Sequence, residues 1–343
     1  MFKKSLLLFA CLFFATPAIA DYSAAERYFD EERYPLVVAE LQPLLAEKDP
    51  KAQYLMAFLY YHGLGVEQDY QEAARLFEEA AEEGNTEART FLGYMYDTGK
   101  GVSVDRRKAF DLYTESSEEG DVVAKINLGV MYYKGNGVPL NYDKAFSIFE
   151  TMSDESSAVA QFYLGRMYYN GYGTKQDTKK AFEHYYNAAA LGHVEAYYIL
   201  GYMYQTGVGV DVYPERAFEY TNHAAQMGFP MAQYNLGLMY QSGTGVEKNL
   251  VNAYVWFKLA AEKDIKEAKE ALENMNLSVS ELSTANDKIV AQKNVDIKNI
   301  QGPLSKAKVT SETVRIVPLL TDEGMVQTPV RRRSRRSVRS RRR

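Results

Sequence analysis

Apolar positions along this chain keep helical spacing and break at regular intervals. Between residues 88 and 113, Ala88, Leu92, Met95 and Tyr96 fall at i, i+4, i+7 and i+8. Gly99-Lys100-Gly101 follows, and then Ala109, Leu112 and Tyr113. Each apolar set is one face of an amphipathic helix. Gly99 suits the left-handed backbone that ends a helix. Asp105, four residues before Ala109, stands where an N-cap belongs. The stretch therefore predicts two helices joined by a tight glycine turn.

The unit recurs. Gly-x-Gly begins at Gly63, Gly99, Gly135, Gly171, Gly207 and Gly243, at a constant step of 36 residues. Alanines in the same register, from Ala52 to Ala232, open the first helix of each unit. Tyrosines from Tyr60 to Tyr240 lie near its end, and alanines from Ala73 to Ala253 open the second helix. Asp69, Asn141, Asp177 and Asn249 repeat the N-cap of Asp105, and Glu72 suits a capping box with Asp69. In the fifth unit Tyr213 takes the cap position, followed by Pro214 at the first helical turn. One helix pair cannot bury both of its faces, so neighbouring pairs must stack. The expected fold is an all-α solenoid of six 36-residue antiparallel helix pairs.

The pattern A-x-x-x-L-G-x-M-Y-x-x-G-x-G-V-x-x-D-x-x-K-A-F, which residues 88–110 match throughout, resembles the Sel1-like repeat, a relative of the tetratricopeptide repeat. The resemblance implies a right-handed superhelix whose first helices line a concave surface. It also implies roles similar to those of secreted bacterial adaptors that serve envelope machines, polysaccharide secretion or host contact. Family members linked to β-lactam binding resemble a cysteine-paired subgroup, and this chain lacks those cysteines.

The ends complete the expected layout. Residues 1–20 read as a signal peptide: Lys3 and Lys4, an apolar run from Ser5 to Phe14, and Ala18-Ile19-Ala20 as the cleavage box. This places the mature chain in the periplasm or outside the cell, with no transmembrane span after cleavage. A lipidated Cys11 would need a small residue where Phe9 stands. Residues 21–51 read as N-terminal capping helices, 52–267 as the six repeats and 268–293 as C-terminal capping helices, with Ser278 or Ser280 as an N-cap. Residues 294–330 read as a flexible linker containing Pro303, Pro318 and Pro329. The third unit ends in Met152-Ser153-Asp154-Glu155-Ser156 in place of small residues and glycine, so a bend is expected there.

Charge sharpens the picture. The chain holds 40 basic and 45 acidic residues, but nine of the basic ones crowd the last thirteen positions. These are Arg331, Arg332, Arg333, Arg335, Arg336, Arg339, Arg341, Arg342 and Arg343. Such a run reads as a disordered tail on an acidic body. Counterion release would let it bind nucleic acid, but export argues against that partner. An anionic lipid, an acidic polysaccharide or an acidic protein fits better, as does the tail's own acidic body.

No catalytic constellation is present. His62, His184, His193 and His223 show no metal-ligand spacing, and Cys11 is the sole cysteine. No cofactor is expected. His62 and His193 adjoin turn glycines and read as surface residues. Ser305-Lys306-Ala307-Lys308 fits S-x-x-K without its companion motifs.

Positions that vary among the six first helices form a stripe at i, i+4 and i+7, rich in the chain's 28 tyrosines. The residues expected to face a partner are Phe58, Tyr61, Tyr94, Asp97, Tyr133, Arg166, Tyr169 and Tyr202. Tyr54, Phe162, Tyr198 and Tyr234, at the first position of the stripe, read equally well as packing residues, and Trp256 reads as core. A tyrosine-lined groove suits extended peptides or sugars. The expected function is a non-catalytic protein-binding adaptor of the bacterial envelope. The alternatives are a glycan- or β-lactam-active enzyme of the same fold, or an exported host-interaction factor.

Overall fold

A computed structural model describes residues 22–152 and 157–294. These form sixteen helices and no strand among the described residues. The expected signal peptide, residues 153–156 of the expected bend, residues 295–330 and the arginine-rich positions 331–343 lie outside them.

The chain divides into two compact units between Val104 and Asp105, inside the second repeat. The described part of the first unit holds α1 (Tyr22–Asp30), α2 (Tyr34–Ala46), α3 (Pro50–His62), α4 (Tyr70–Glu82) and α5 (Thr86–Thr98). The second holds α6 (Arg106–Glu118), α7 (Val122–Lys134), α8 (Tyr142–Thr151), α9 (Ala158–Asn170), α10 (Thr178–Ala190), α11 (Val194–Thr206), α12 (Pro214–Gln226), α13 (Pro230–Ser242), α14 (Leu250–Ala261), α15 (Lys266–Glu273) and α16 (Val279–Lys293). Within each unit, successive helix pairs pack side by side in the α-solenoid manner.

The predicted Asp and Asn caps of the second helices form, whereas Tyr213 makes no side-chain cap bond. Asp69, Asp105, Asn141, Asp177 and Asn249 accept backbone N–H bonds at the starts of second helices. Glu72 does not complete a capping box, because the Asp69 N–H already donates to the Tyr60 carbonyl. The Glu72 carboxylate pairs with Arg75 instead. Ser278 forms a full capping box with Glu281. The first helices carry their own repeating N-cap, at Asp49, Asn85, Asp121, Ser157 and His193.

Both glycines of each turn are required. Gly99 ends α5 at φ 74° and Gly207 ends α11 at φ 77°. The second glycine seats a repeat on its predecessor: a Cβ at Gly101 would strike the Tyr70 carbonyl at the start of α4, and one at Gly209 would strike the Thr178 carbonyl at the start of α10.

In the second unit a ring pair recurs in the same register. Phe110–Tyr132, Phe146–Tyr168, Phe182–Tyr204 and Phe218–Tyr240 meet edge-to-face, with centroids 5.4–5.6 Å apart. Each joins a second helix to the next first helix, which gives four of the six repeated tyrosines a packing partner. Trp256 is buried, as expected. No described helix is long and apolar enough to cross a membrane.

Candidate functional site

The variable stripe does not form a uniform surface. In the first unit Tyr54, Phe58 and Tyr61 of α3 are all buried. Phe58 was expected to be exposed, but the capping helix α1 covers it: the Phe29 ring stands 5.7 Å away, edge-on. Phe91 and His62 close the other sides, at 6.2 and 4.3 Å. Asp97 is buried too, and so is Tyr133 in the second unit. Of the four third-position residues expected to be exposed, Tyr61, Asp97 and Tyr133 are thus corrected to buried, and Tyr169 is half-buried. The cause is visible at Tyr61 and Tyr133, where the glycine turn of the following repeat closes over the ring.

That closure builds one cluster twice. In the first unit the Lys100 ammonium, from the middle of its Gly-x-Gly turn, lies 5.1 Å from the Tyr61 ring centre. It lies 5.7 Å from those of Tyr70 and Tyr94, and Nζ donates to the Tyr61 hydroxyl at 2.8 Å. Burial, then the neighbouring Tyr94 and Tyr70, pushes the Tyr61 phenol far above its usual range. Burial, reinforced by the Lys100 charge, lowers the His62 pKa below its usual range.

Two repeats on, the registers of Tyr61, Tyr70, Tyr94 and Lys100 are occupied by Tyr133, Tyr142, Arg166 and Tyr172. Here the turn supplies the third tyrosine and the helix supplies the cation. Tyr142 and Tyr172 stack at 4.4 Å, Tyr133 stands 5.5 Å from Tyr142, and the Arg166 guanidinium lies 5.6 Å from the Tyr133 ring centre. Both clusters hold three tyrosines and one cation, which attract through the ring quadrupoles. Arg166 is half-buried within this packing. Lys100, Tyr70, Tyr142 and Tyr172 were missed from sequence; comparing the chain with itself at twice the repeat length matches Tyr70 with Tyr142 but sets Lys100 against Tyr172.

Towards the C-terminal repeats the stripe opens. On α9, Phe162 is buried and Tyr169 half-buried. On α11, Tyr202 is 44% exposed and Tyr198 half-buried. On α13, Leu238 is exposed and Tyr234 half-buried. Asn235 donates to the Tyr198 hydroxyl at 3.1 Å and so orients the ring. Tyr94, in the first unit, is also half-buried. The usable part of the expected site is therefore Tyr94 in one unit and Arg166, Tyr169 and Tyr202 in the other, with Tyr198 and Leu238 added.

The histidines are structural in setting. His193 is half-buried rather than a surface residue: it N-caps α11, its Nδ1 accepting from the Ala196 N–H at 3.3 Å while its ring stacks on Phe162 at 4.1 Å. Burial lowers its pKa to about 3. His223 is buried against Tyr197 and is lowered to about 4 by the same cause. No group of metal-ligating side chains occurs among the described residues.

With the helix pairs, turns and caps in place, comparison with protein families matches the Sel1 repeat six times, at residues 50–85, 86–121, 122–157, 158–193, 194–229 and 230–265. The chain belongs to the Sel1 repeat family. Sel1 repeats commonly mediate protein–protein interaction, and proteins built from them are generally non-catalytic scaffolds. The fold is similar to that of a Sel1 repeat protein from Oxalobacter formigenes, with TM-score 0.65 and 28% identity over 70% of this chain and 96% of that one. It is also similar to c5321, described as a protective antigen present in uropathogenic Escherichia coli strains, with TM-score 0.61 and 29% identity over 76% of this chain. The matched part spans 57% of the length of c5321. Comparison with curated proteins gives no match. Within these Sel1 repeats, the ring pairs and glycine contacts join one repeat to the next.

Proposed function

We propose that this Sel1 repeat protein is a non-catalytic adaptor of the bacterial envelope, periplasmic or secreted, that holds a protein partner on the open stripe of its first helices. The carrying observation is Tyr202, a large aromatic left 44% exposed on a helix whose other face is buried. Tyr169, Tyr198, Arg166 and Leu238 occupy the same stripe on α9, α11 and α13. Exposed tyrosine and arginine on rigid helices are the residue types enriched at interface hot spots. In this reading the arginine tail, 331–343, contacts an anionic lipid or polysaccharide.

A photo-crosslinking residue at 202 tests the first part in envelope extracts. The proposal expects a discrete protein adduct that is absent when the crosslinker sits at exposed Lys258. Indistinguishable adducts from both positions would refute it. Vesicles carrying anionic lipid test the second part. Binding weakens on deleting 331–343 and on raising salt; unchanged binding removes the tail from the proposal.

A second reading has one specific support. The likeness to c5321, described as a protective antigen, favours an exported host-interaction factor. Export to the cell surface, read by labelling intact cells, separates it from a periplasmic adaptor.

A further inference from the structure

The second helix α10 carries a feature that its scaffold role does not require. Phe182, Glu183, Tyr186 and Asn187 line a shallow, open depression on the surface of α10. Their spacing of i, i+1, i+4 and i+5 puts all four on one helix face.

The repeats themselves show that the residue at 186 is not structural. The same register holds Glu78, Thr114, Glu150, Asn222 and Lys258 in the other five units. Only the fourth repeat places an aromatic there, and it leaves that ring 39% exposed. The register of Asn187 holds Glu79, Glu115, Thr151, His223 and Leu259, so the carboxamide is also particular to this unit.

The platform is pinned from beneath. Phe182 meets Tyr204 edge-on at 5.4 Å and 89°, and Tyr204 stacks on Tyr220 at 5.4 Å. Tyr186 stands 6.3 Å from Phe182, inclined by 33°. Burial, and then the nearby Tyr186, pushes the Tyr197 phenol up to about 12. An exposed ring held in place this way loses little entropy when a ligand covers it.

The lining selects the ligand. Two aromatic rings offer a surface to an apolar C–H face, and a carboxylate and a carboxamide beside them meet a rim of hydroxyls. No cation lines the depression, so Glu183 repels phosphates, sulfates and uronic acids. A helix interior has no unpaired backbone edge to which an extended peptide could add. We propose that Phe182 and Tyr186, flanked by Glu183 and Asn187, form a saccharide subsite that takes a neutral hexose or N-acetylhexosamine ring. The subsite is independent of the protein-binding stripe on the first helices.

Saturation-transfer NMR on the full chain tests this, with chitotriose and cellotriose as probes and trigalacturonate, choline and a lysine peptide as controls. Saturation transfer is expected to at least one neutral trisaccharide. Titration should show an affinity loss of about tenfold in Tyr186→Ala and near-retention in Tyr186→Phe. Tyr202→Ala should bind the sugar as the parent does. Tyr186→Lys, which installs the residue of the last repeat's register, should also lose binding and guards against a folding defect in the alanine variant. Absence of transfer to both neutral sugars, full affinity in both Tyr186→Ala and Tyr186→Lys, or preference for trigalacturonate, choline or the lysine peptide would each overturn the subsite.

Discussion

The Lys100 ammonium donates to the Tyr61 hydroxyl at 2.8 Å across a glycine turn, tying one repeat to the next within the first unit. Lys100 sits among three tyrosine rings. A partly desolvated cation so placed contributes about 1–2 kcal/mol. Lys100→Met should lower stability by about that amount, and a Lys100→Met/Tyr61→Phe cycle should show coupling of about 1 kcal/mol in urea denaturation. The second cluster suggests a stronger test. Tyr94→Arg with Lys100→Tyr recreates the Arg166–Tyr172 arrangement, so the double variant should be more stable than the two single variants predict additively.

Two glycines with similar backbone should respond differently to alanine. Gly209 and Gly192 both have positive φ, 74° and 92°. A Cβ at Gly209 strikes the Thr178 carbonyl, whereas one at Gly192 meets nothing within 4 Å. Gly192→Ala should cost about 1 kcal/mol of left-handed strain. Gly209→Ala carries the same strain plus the clash and should cost at least about 2 kcal/mol more. Thermal melts of the two variants, side by side, measure the difference.

Phe58 and Tyr202 occupy one register of the stripe but opposite environments. Phe58 is 8% exposed and packs against Phe29, so Phe58→Ala should destabilise by about 3–5 kcal/mol. Tyr202→Ala should leave the melting temperature within about 2 °C. In the proposed function it instead weakens partner binding at least about tenfold. Melting curves paired with binding isotherms for both variants check this division.

His193 should make stability depend on pH. Its folded pKa, about 3, lies below the ordinary value of 6.5 because burial disfavours the imidazolium. Between these values the unfolded chain binds more protons, so stability rises with pH. The contribution is complete above about pH 6.5 and is lost as pH falls towards 3. His223, lowered to about 4, acts in the same direction. His193→Asn keeps a capping side chain and removes one titrating group, so its stability should fall less between pH 6.5 and pH 4. Denaturation midpoints across that range give the comparison; an equal fall in both proteins would remove His193 from the cause.

Much of the architecture was readable from local chemistry. The glycine turns, the N-caps at Asp69, Asp105, Asn141, Asp177 and Asn249, and the boundaries of most helices follow from residues close together in sequence. The N-caps of the first helices escaped notice because they vary in type, from Asp49 through Ser157 to His193. The clusters around Lys100 and Arg166 escaped because the cation changes position between copies, so no single column of the repeat shows it.

The period by itself determined that this chain is a stack of helix pairs, since a unit with apolar residues on more than one face must meet its neighbours. It also determined which positions vary and so which can serve a purpose particular to this protein. Tertiary structure alone decided which of those positions meet solvent. Phe58 and Tyr202 share a register and a helix face; one is covered by Phe29 from the capping helix and the other is left open. Burial depends on what a neighbouring element brings to the contact, and no periodicity within a helix records that.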